Sequence, residues 1–225
     1  MKRITHLALA IFVCLYAITP LFAQTAGTTT ATAPAAANSA STAVSSSADA
    51  GQAAAGLAIA DYNTGDKPNN LGGDFGAWDK DPNDETQGCK MSFEADDAQG
   101  DPAGYSVRLD YDVDSPNPAY NGFWMKLNGL DATEYNTVSF DLKGDASKGF
   151  TKRLKIEVKS QKGETSPYIV TGITDQWQRF SVPFEKLRKI TDWTALSEFV
   201  VVFDDINSSP KSGTIFIDNV RLSAE

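Results

Sequence analysis

Seven short segments between residues 105 and 222 constrain the fold most strongly, because each is rich in branched and aromatic residues and most alternate apolar with polar side chains. They are YSVRLDYDV (105–113), FWMKLNGL (123–130), TVSFDLKG (137–144), RLKIEVKS (153–160), WQRFSVPF (177–184), EFVVVFDD (198–205) and GTIFIDNVRL (213–222). A period of two predicts β-strands, and turn residues separate the segments at intervals of about 8–15 residues. The pattern predicts an all-β sandwich or barrel and disfavours alternating strands and helices.

Alternation within the strands also predicts which side chains face the core. Val107 and Leu109 share one side of their strand, and Arg108 and Asp110 share the other side, which we expect to face solvent. The segment at 198–205 is apolar on both sides, so it is predicted to be a central strand that is covered on both faces.

Trp124 falls on the polar side of its strand, opposite Phe123 and Met125, which take the core positions. Two interpretations follow from this placement. In the first, a loop or an edge strand covers the indole, since most tryptophans are largely buried. In the second, the indole is exposed and serves as a platform on which a ligand stacks.

Residues 1–23 have the pattern of a secretory signal peptide: a basic start, an apolar run from Leu7 to Ala23, and a small residue at its end for cleavage. A retained membrane anchor is the alternative, although this run has 17 residues and is interrupted by Pro20, whereas a membrane span needs about 20. We therefore expect cleavage, a secreted or periplasmic protein, and no membrane attachment afterwards.

Residues 24–56 differ sharply in composition from the rest of the chain. Of these 33 residues, 24 are Ala, Ser or Thr, and none is aromatic. Such a segment cannot bury enough apolar surface to offset the entropy that ordering would cost, so it is predicted to be a disordered linker. The folded domain is then predicted to span residues 57–225, an ordinary size for one domain.

The charge balance and the rare residue types exclude several functions. Removal of the signal peptide leaves 18 basic and 29 acidic residues, a formal charge of −11, which argues against nucleic acid or anionic lipid as a partner. The mature chain has no histidine and one cysteine, Cys89. It therefore cannot form an internal disulfide, a His-based triad, a His-ligated zinc site or a Cys–His nucleophile pair.

Four segments occur in the order expected of a known family, namely ADYNTGDKPNNLGGDFGAW (60–78), TVSFDLKGD (137–145), ITDQWQRFSVPF (173–184) and GTIFIDNVRL (213–222). They resemble the family 11 carbohydrate-binding module and the related domain of the complex I intermediate-associated protein 30 family, both galactose-binding-like jelly rolls. The resemblance implies a jelly-roll β-sandwich of two antiparallel sheets. It also implies a non-catalytic module that binds a neutral glycan on a sheet face.

Together with the strand alternation, the resemblance places the ligand on a face that carries Arg108, Asp110 and Trp124. The indole would cover the apolar C–H face of a pyranose ring, and the two charged side chains would hydrogen-bond to hydroxyl groups. Tyr120 and Tyr168 are further candidate platforms for stacking.

The resemblance also implies a structural calcium ion that bridges the first and last strands, with Asp61 and Asp218 as ligands, since calcium prefers oxygen ligands. The family often begins with a run of acidic residues, whereas this chain has only Asp61 in ADYN. The alternative for Asp218 is that its carboxylate anchors a turn by accepting hydrogen bonds from backbone N–H groups.

Two other functional classes stay open. A domain of the same fold could bind a protein partner, as an interaction or assembly module without a sugar ligand. It could also be an enzyme, but glycoside hydrolysis needs two carboxylates at a set separation, and the sequence alone pairs none of its acids. We therefore predict a non-catalytic module whose partner is a polysaccharide or another glycan.

Overall fold

The computed structural model describes residues 56–95 and 104–224. The predicted signal peptide, the predicted linker as far as residue 55, and residues 96–103 lie outside the described residues. Within the described ranges, no helix is long and apolar enough to cross a membrane. The regular structure in these ranges consists of eleven β-strands and one 3₁₀ turn at Phe184–Lys186.

The strands are β1 (Leu57–Ala60), β2 (Phe75–Asp79), β3 (Gly88–Glu94), β4 (Ser106–Asp112), β5 (Tyr120–Leu130), β6 (Thr137–Gly144), β7 (Arg153–Ser160), β8 (Thr165–Thr171), β9 (Gln178–Pro183), β10 (Leu196–Asp204) and β11 (Ser212–Ser223). The seven segments predicted from the sequence are all strands, namely β4 to β7 and β9 to β11. Their ends differ from the predicted ends by no more than three residues.

The strands form two antiparallel sheets. Sheet A has the order β3-β4-β11-β6-β9, with β1 also paired to β11, and sheet B has the order β2-β5-β10-β7-β8. Consecutive strands mostly alternate between the two sheets, so most connections cross from one layer to the other. This arrangement confirms the predicted jelly-roll sandwich of two antiparallel sheets.

Side chains of the two sheets meet in one apolar core. Tyr111 of sheet A stacks on Phe203 of sheet B with ring centroids 4.2 Å apart, and Phe140 packs against Phe199 at 5.5 Å. All four rings are almost inaccessible to water. Full burial of such a side chain stabilises the fold by about 1.5–3 kcal/mol. Strand β10 is central in sheet B and buried on both faces over most of its length, as its apolar sequence predicted.

A row of charged side chains crosses sheet A from β11 to β9. Asp218, Asp141 and Arg179 are cross-strand neighbours in this row. The two aspartates are 0% and 1% exposed. Arg179 donates hydrogen bonds of 2.9 Å to both carboxylate oxygens of Asp141, which makes a bidentate pair. The guanidinium thus supplies positive charge beside two buried carboxylates that would otherwise repel each other.

Candidate functional site

The outer face of sheet B carries a groove with a cavity volume of about 560 Å³. Strands β2, β5, β7 and β10 each contribute side chains to it. The lining residues are Trp78, Tyr120, Trp124, Lys126, Lys155, Glu157, Lys159, Glu198, Val200 and Val202. The aromatic residues come from β2 and β5 and most of the charged ones from β7 and β10, so the groove has an aromatic half and an ionic half. The two valines of β10 lie between them and form the floor.

The strand register explains how the tryptophans fit on this face. Trp124 lies opposite Gly76 of β2 and Val200 of β10, and Trp78 lies opposite Gly122 of β5. A Cβ atom added at Gly76 would lie 3.6 Å from the Trp124 ring, so the indole lies against the backbone of β2. This distance is an ordinary van der Waals contact, so the indole packs over Gly76 although the position does not strictly require a glycine.

The aromatic half follows the direction of β5. Trp124 is half-buried, and Tyr120 is 43% exposed at the other end of the same face. Trp78 fills the space between them, with its ring centroid 5.9 Å from that of Tyr120. Four residues of a strand span about 13 Å, so these rings present an apolar surface longer than a single pyranose.

The ionic half is a set of pairs between lysines and acids. Lys126 and Lys159 bind one carboxylate oxygen each of Glu198, the latter at 3.0 Å. Lys155 lies 3.6 Å from Glu157 and 3.8 Å from Asp204. Three lysines thus face three acids. The positive charges are compensated within the groove, although the amino and carboxylate groups still offer hydrogen bonds to a ligand.

The charges around Glu198 set its protonation state. Burial raises the pKa of this carboxyl, but the hydrogen bonds and charges of Lys126 and Lys159 outweigh that effect and hold its pKa below the ordinary value. Glu198 is therefore ionised at neutral pH. The ammonium group of Lys126 also lies 5.5 Å from the ring centroid of Trp124, so it contacts both halves of the groove.

Of the five predicted ligand residues, the structure brings two together in the groove, Tyr120 and Trp124. Arg108 and Asp110 lie on β4 in sheet A, so they do not share a face with Trp124, and the single face expected for all three is wrong. Alternation assigns each residue to one side of its strand, but it does not reveal to which sheet the strand belongs.

Arg108 and Asp110 bind each other on the outer face of sheet A. Arg108 donates to both oxygens of Asp110 at 2.9–3.1 Å, and Thr214 adds a third donor. Burial raises the pKa of Asp110, but these donors outweigh it and leave the pKa below its ordinary value. The pair therefore has a structural role in sheet A, where its contact with Thr214 joins β4 to β11.

Tyr168 lies on β8, opposite the fully buried Ile156 of β7. The ring of Tyr168 packs against the core. It is not part of the groove lining. The sequence prediction did not identify β8 as a strand, so no alternation was available to assign a side to Tyr168.

Sequence reasoning missed Trp78, Glu198 and the three lysines of the groove. Lys126 and Lys155 were on the polar sides of predicted strands, so alternation placed them outside the core. Alternation could not predict the order of strands in sheet B, which puts β2, β5, β10 and β7 side by side.

The predicted calcium ligands lie at the start of the domain and in its last strand. Asp61 accepts hydrogen bonds from the Asn63 backbone and the Asn70 side chain, and Asp218 accepts one from the Asn219 backbone. Within residues 56–95 and 104–224, no group of three or more Asp, Glu, His or Cys side chains could hold a metal ion. Since calcium takes six to eight oxygens, these two aspartates alone do not complete a site.

Comparison with known proteins identifies the kind of module. A family model described as Carbohydrate binding domain 30 matches residues 68–224. No curated protein matches the chain. The family 11 carbohydrate-binding module of the cellulosomal cellulase Lic26A-Cel5E of Clostridium thermocellum has a TM-score of 0.55 and 16% identity, covering 76% of this chain and 95% of that one.

Two further solved structures have the same fold. The Clostridium thermocellum family 11 module in complex with a β-1,3-1,4-mixed-linked tetrasaccharide has a TM-score of 0.55 and 16% identity, covering 75% of this chain and 95% of that chain. An exo-β-agarase has a TM-score of 0.56 and 12% identity, covering 75% of this chain and 25% of that chain. At such low identities, these similarities establish the fold alone.

The family match is more informative, because it spans over two thirds of the chain and contains β2 to β11, including every strand that lines the groove. It confirms the resemblance to carbohydrate-binding modules, with family 30 as the matching family and family 11 among the similar structures. On the strength of this match, the chain belongs to the carbohydrate-binding domain 30 family.

Proposed function

We propose that this domain is a non-catalytic module that binds a neutral glycan in the groove of sheet B. The observation that carries the proposal is the pairing of an aromatic wall with an ionic wall whose charges compensate each other. Stacking supplies most of the affinity in this proposal, and the ionic wall orients the sugar hydroxyls.

The aromatic wall suits a pyranose ring, which has apolar C–H faces. Trp124, Trp78 and Tyr120 present indole and phenol rings from neighbouring strands. Aromatic side chains of this size bury about 150–250 Å², and each Å² of apolar area removed from water contributes about 25 cal/mol. Several such contacts along one chain of sugars supply the main favourable contribution to binding in this proposal.

The ionic wall favours a neutral ligand over an acidic one. Glu198 holds Lys126 and Lys159, so an acidic sugar would have to compete with a carboxylate already in place. Hydroxyl groups can hydrogen-bond to the same groups without displacing a charge. The similar family 11 structure contains a mixed-linked tetrasaccharide, which makes mixed-linkage β-glucan a suitable first ligand to test here.

Glu198 does not suit the role of the general acid in glycoside hydrolysis. A general acid in a glycoside hydrolase needs a raised pKa, so that it carries a proton at neutral pH. The pKa of Glu198 is instead held down by two lysines. Glu198 therefore stays ionised, which fits a role in orienting a bound ligand better than a role as proton donor.

Affinity electrophoresis tests the proposal directly. The protein would be run through gels that contain mixed-linkage β-glucan, arabinoxylan or agarose as neutral polymers, and polygalacturonate or alginate as acidic ones. We expect retardation by at least one neutral polymer and by neither acidic polymer. Migration unaffected by all neutral polymers would instead favour the alternative function, a protein-interaction or assembly domain of the same fold.

Glu198→Gln should change this preference. Without the carboxylate, Lys126 and Lys159 lose their shared partner, and the groove gains positive charge. We expect polygalacturonate to retard the variant at low salt, although it does not retard the wild type, and we expect this retardation to be lost at high salt. Glu185→Gln is the matched control, because it makes the same charge change beside Lys186, outside the groove lining. Equal behaviour of the two variants would contradict a role for charge compensation in the groove.

The calcium ion stays a prediction. Asp218 and Asp61 would supply two of its oxygens, and backbone carbonyls and water the others. An ion bound only by the folded state stabilises that state by mass action, so chelation should lower the melting temperature by several degrees, and added calcium should restore it. An unchanged melting curve after exhaustive chelation would rule the ion out.

We also propose that the module acts outside the cytoplasm, secreted or in the periplasm. The support is the sequence of residues 1–23 and of the Ala/Ser/Thr-rich segment after them. Sequencing the amino terminus of the mature protein tests this proposal, and a start near residue 24 is the expected result.

A further inference from the structure

The turn that follows β10 exposes an apolar side chain to water. Ile206 is 88% exposed, more than either of the other large exposed apolar side chains in the described ranges, Tyr120 at 43% and Tyr105 at 37%. Full exposure of isoleucine brings no gain to the fold, because the apolar surface stays in water.

The turn is held in place by several hydrogen bonds. One carboxylate oxygen of Asp204 accepts the backbone N–H of Ile206 at 3.1 Å and that of Asn207 at 2.7 Å. The side chain of Asn207 donates to the same carboxylate, and the N–H of Ser208 donates to the Asp204 carbonyl. The exposure of Ile206 is therefore built into a defined turn.

This turn lies at the Tyr120 end of the groove. Asp204 is the cross-strand partner of Tyr120, and the N–H of Asp205 donates to the carbonyl of Ala119. The other oxygen of Asp204 lies 3.8 Å from Lys155, a lining residue. Asp204 thus connects the ionic half of the groove to the turn that presents Ile206.

We propose that Ile206 is a specificity-determining residue that extends the aromatic surface beyond Tyr120 and contacts sugar units outside the groove. The inference rests on the proposed function. Because the rings from Trp124 to Tyr120 already cover about 13 Å along β5, a short oligosaccharide fills the groove without reaching the turn. A long chain continues past Tyr120, so Ile206 makes the module prefer polysaccharides over short oligosaccharides.

The test compares two probes on each variant: the polysaccharide from the neutral panel that retards the wild type, and its disaccharide. Affinity electrophoresis measures the first and calorimetry the second. Ile206→Ser should weaken binding of the polysaccharide about threefold and leave the disaccharide affinity unchanged. Ile206→Trp should strengthen binding of the polysaccharide. Tyr105→Ser is the control, because Tyr105 precedes β4 of sheet A and lies outside the groove lining.

The possible results separate this inference from the function on which it rests. If wild type binds both probes and Ile206→Ser binds the polysaccharide as well as wild type does, the inference is wrong and the proposed function stands. Equal weakening on both probes also overturns it, since Ile206 would then belong to the main site. A wild-type protein that binds no neutral polymer refutes both proposals. Melting curves of each variant confirm that the fold is retained, as expected for a side chain 88% exposed.

Discussion

Replacing Trp124 with alanine should weaken binding of the neutral polysaccharide at least about tenfold, a loss of about 1.4 kcal/mol, and leave the melting temperature within a few degrees of wild type. The indole lies on the outer face of β5, whereas Phe123 and Met125 on the inner face are fully buried. Its removal therefore takes away one of the stacking surfaces of the groove without opening a cavity in the core. Affinity electrophoresis and scanning calorimetry measure the two effects separately.

Trp177→Ala is the matched control for this experiment. Trp177 precedes β9 and packs beside Phe216 and Lys143 on the outer face of sheet A, and it is also half-buried. We expect that variant to bind the polysaccharide as the wild type does. If Trp124→Ala unfolds the domain, its indole is structural. If the variant folds and still binds fully, the ligand lies elsewhere on the surface.

Replacing Arg179 with methionine should lower the free energy of unfolding by about 3 kcal/mol. The substitution keeps an apolar stem of similar length but leaves Asp141, which is 1% exposed, without its bidentate partner and beside Asp218. The cost arises from the carboxylate that stays buried, because the arginine itself is partly exposed. Chemical denaturation measures the change.

Two further variants make this prediction specific. Arg153→Met removes an exposed arginine at the start of β7 and should change stability by less than about 0.5 kcal/mol. Adding Asp141→Asn to Arg179→Met should restore part of the loss, since the unpaired charge is then removed as well. A double variant no more stable than Arg179→Met would show that lost packing causes the effect.

Most of the fold could be predicted from the sequence because the strands of this sandwich have one apolar side. The segment YSVRLDYDV alternates so regularly that the strand and its buried side chains, Val107 and Leu109, follow from the pattern alone. Strands β1, β2 and β3 were not among the predicted segments. Strand β2 has five residues, FGAWD, one of which is a glycine, and most of them are partly exposed. The alternation of apolar and polar side chains that predicts a strand is therefore weak there.

The candidate site could be predicted only in part, because binding surfaces depend on which strands are neighbours. Trp124 and Tyr120 lie on one strand, and their shared side followed from alternation. Glu198 meets Lys126 across 72 positions of sequence, and Trp78 reaches the same groove from a strand more than 40 residues upstream. Arg108 illustrates the converse, since β4 and β5 are consecutive in the chain but belong to different sheets.

The two buried faces of β10 affect how a ligand would bind. Its inward side chains, such as Phe199 and Phe203, pack in the centre of the core, while Val200 and Val202 on its other face form the floor of the groove. The floor is therefore anchored by side chains that pack in the core, which restrains its motion. A ligand would meet a preorganised surface, and little conformational entropy would be lost by the protein on association. A substitution in the core beneath Val200 would accordingly alter ligand binding by shifting the backbone of β10.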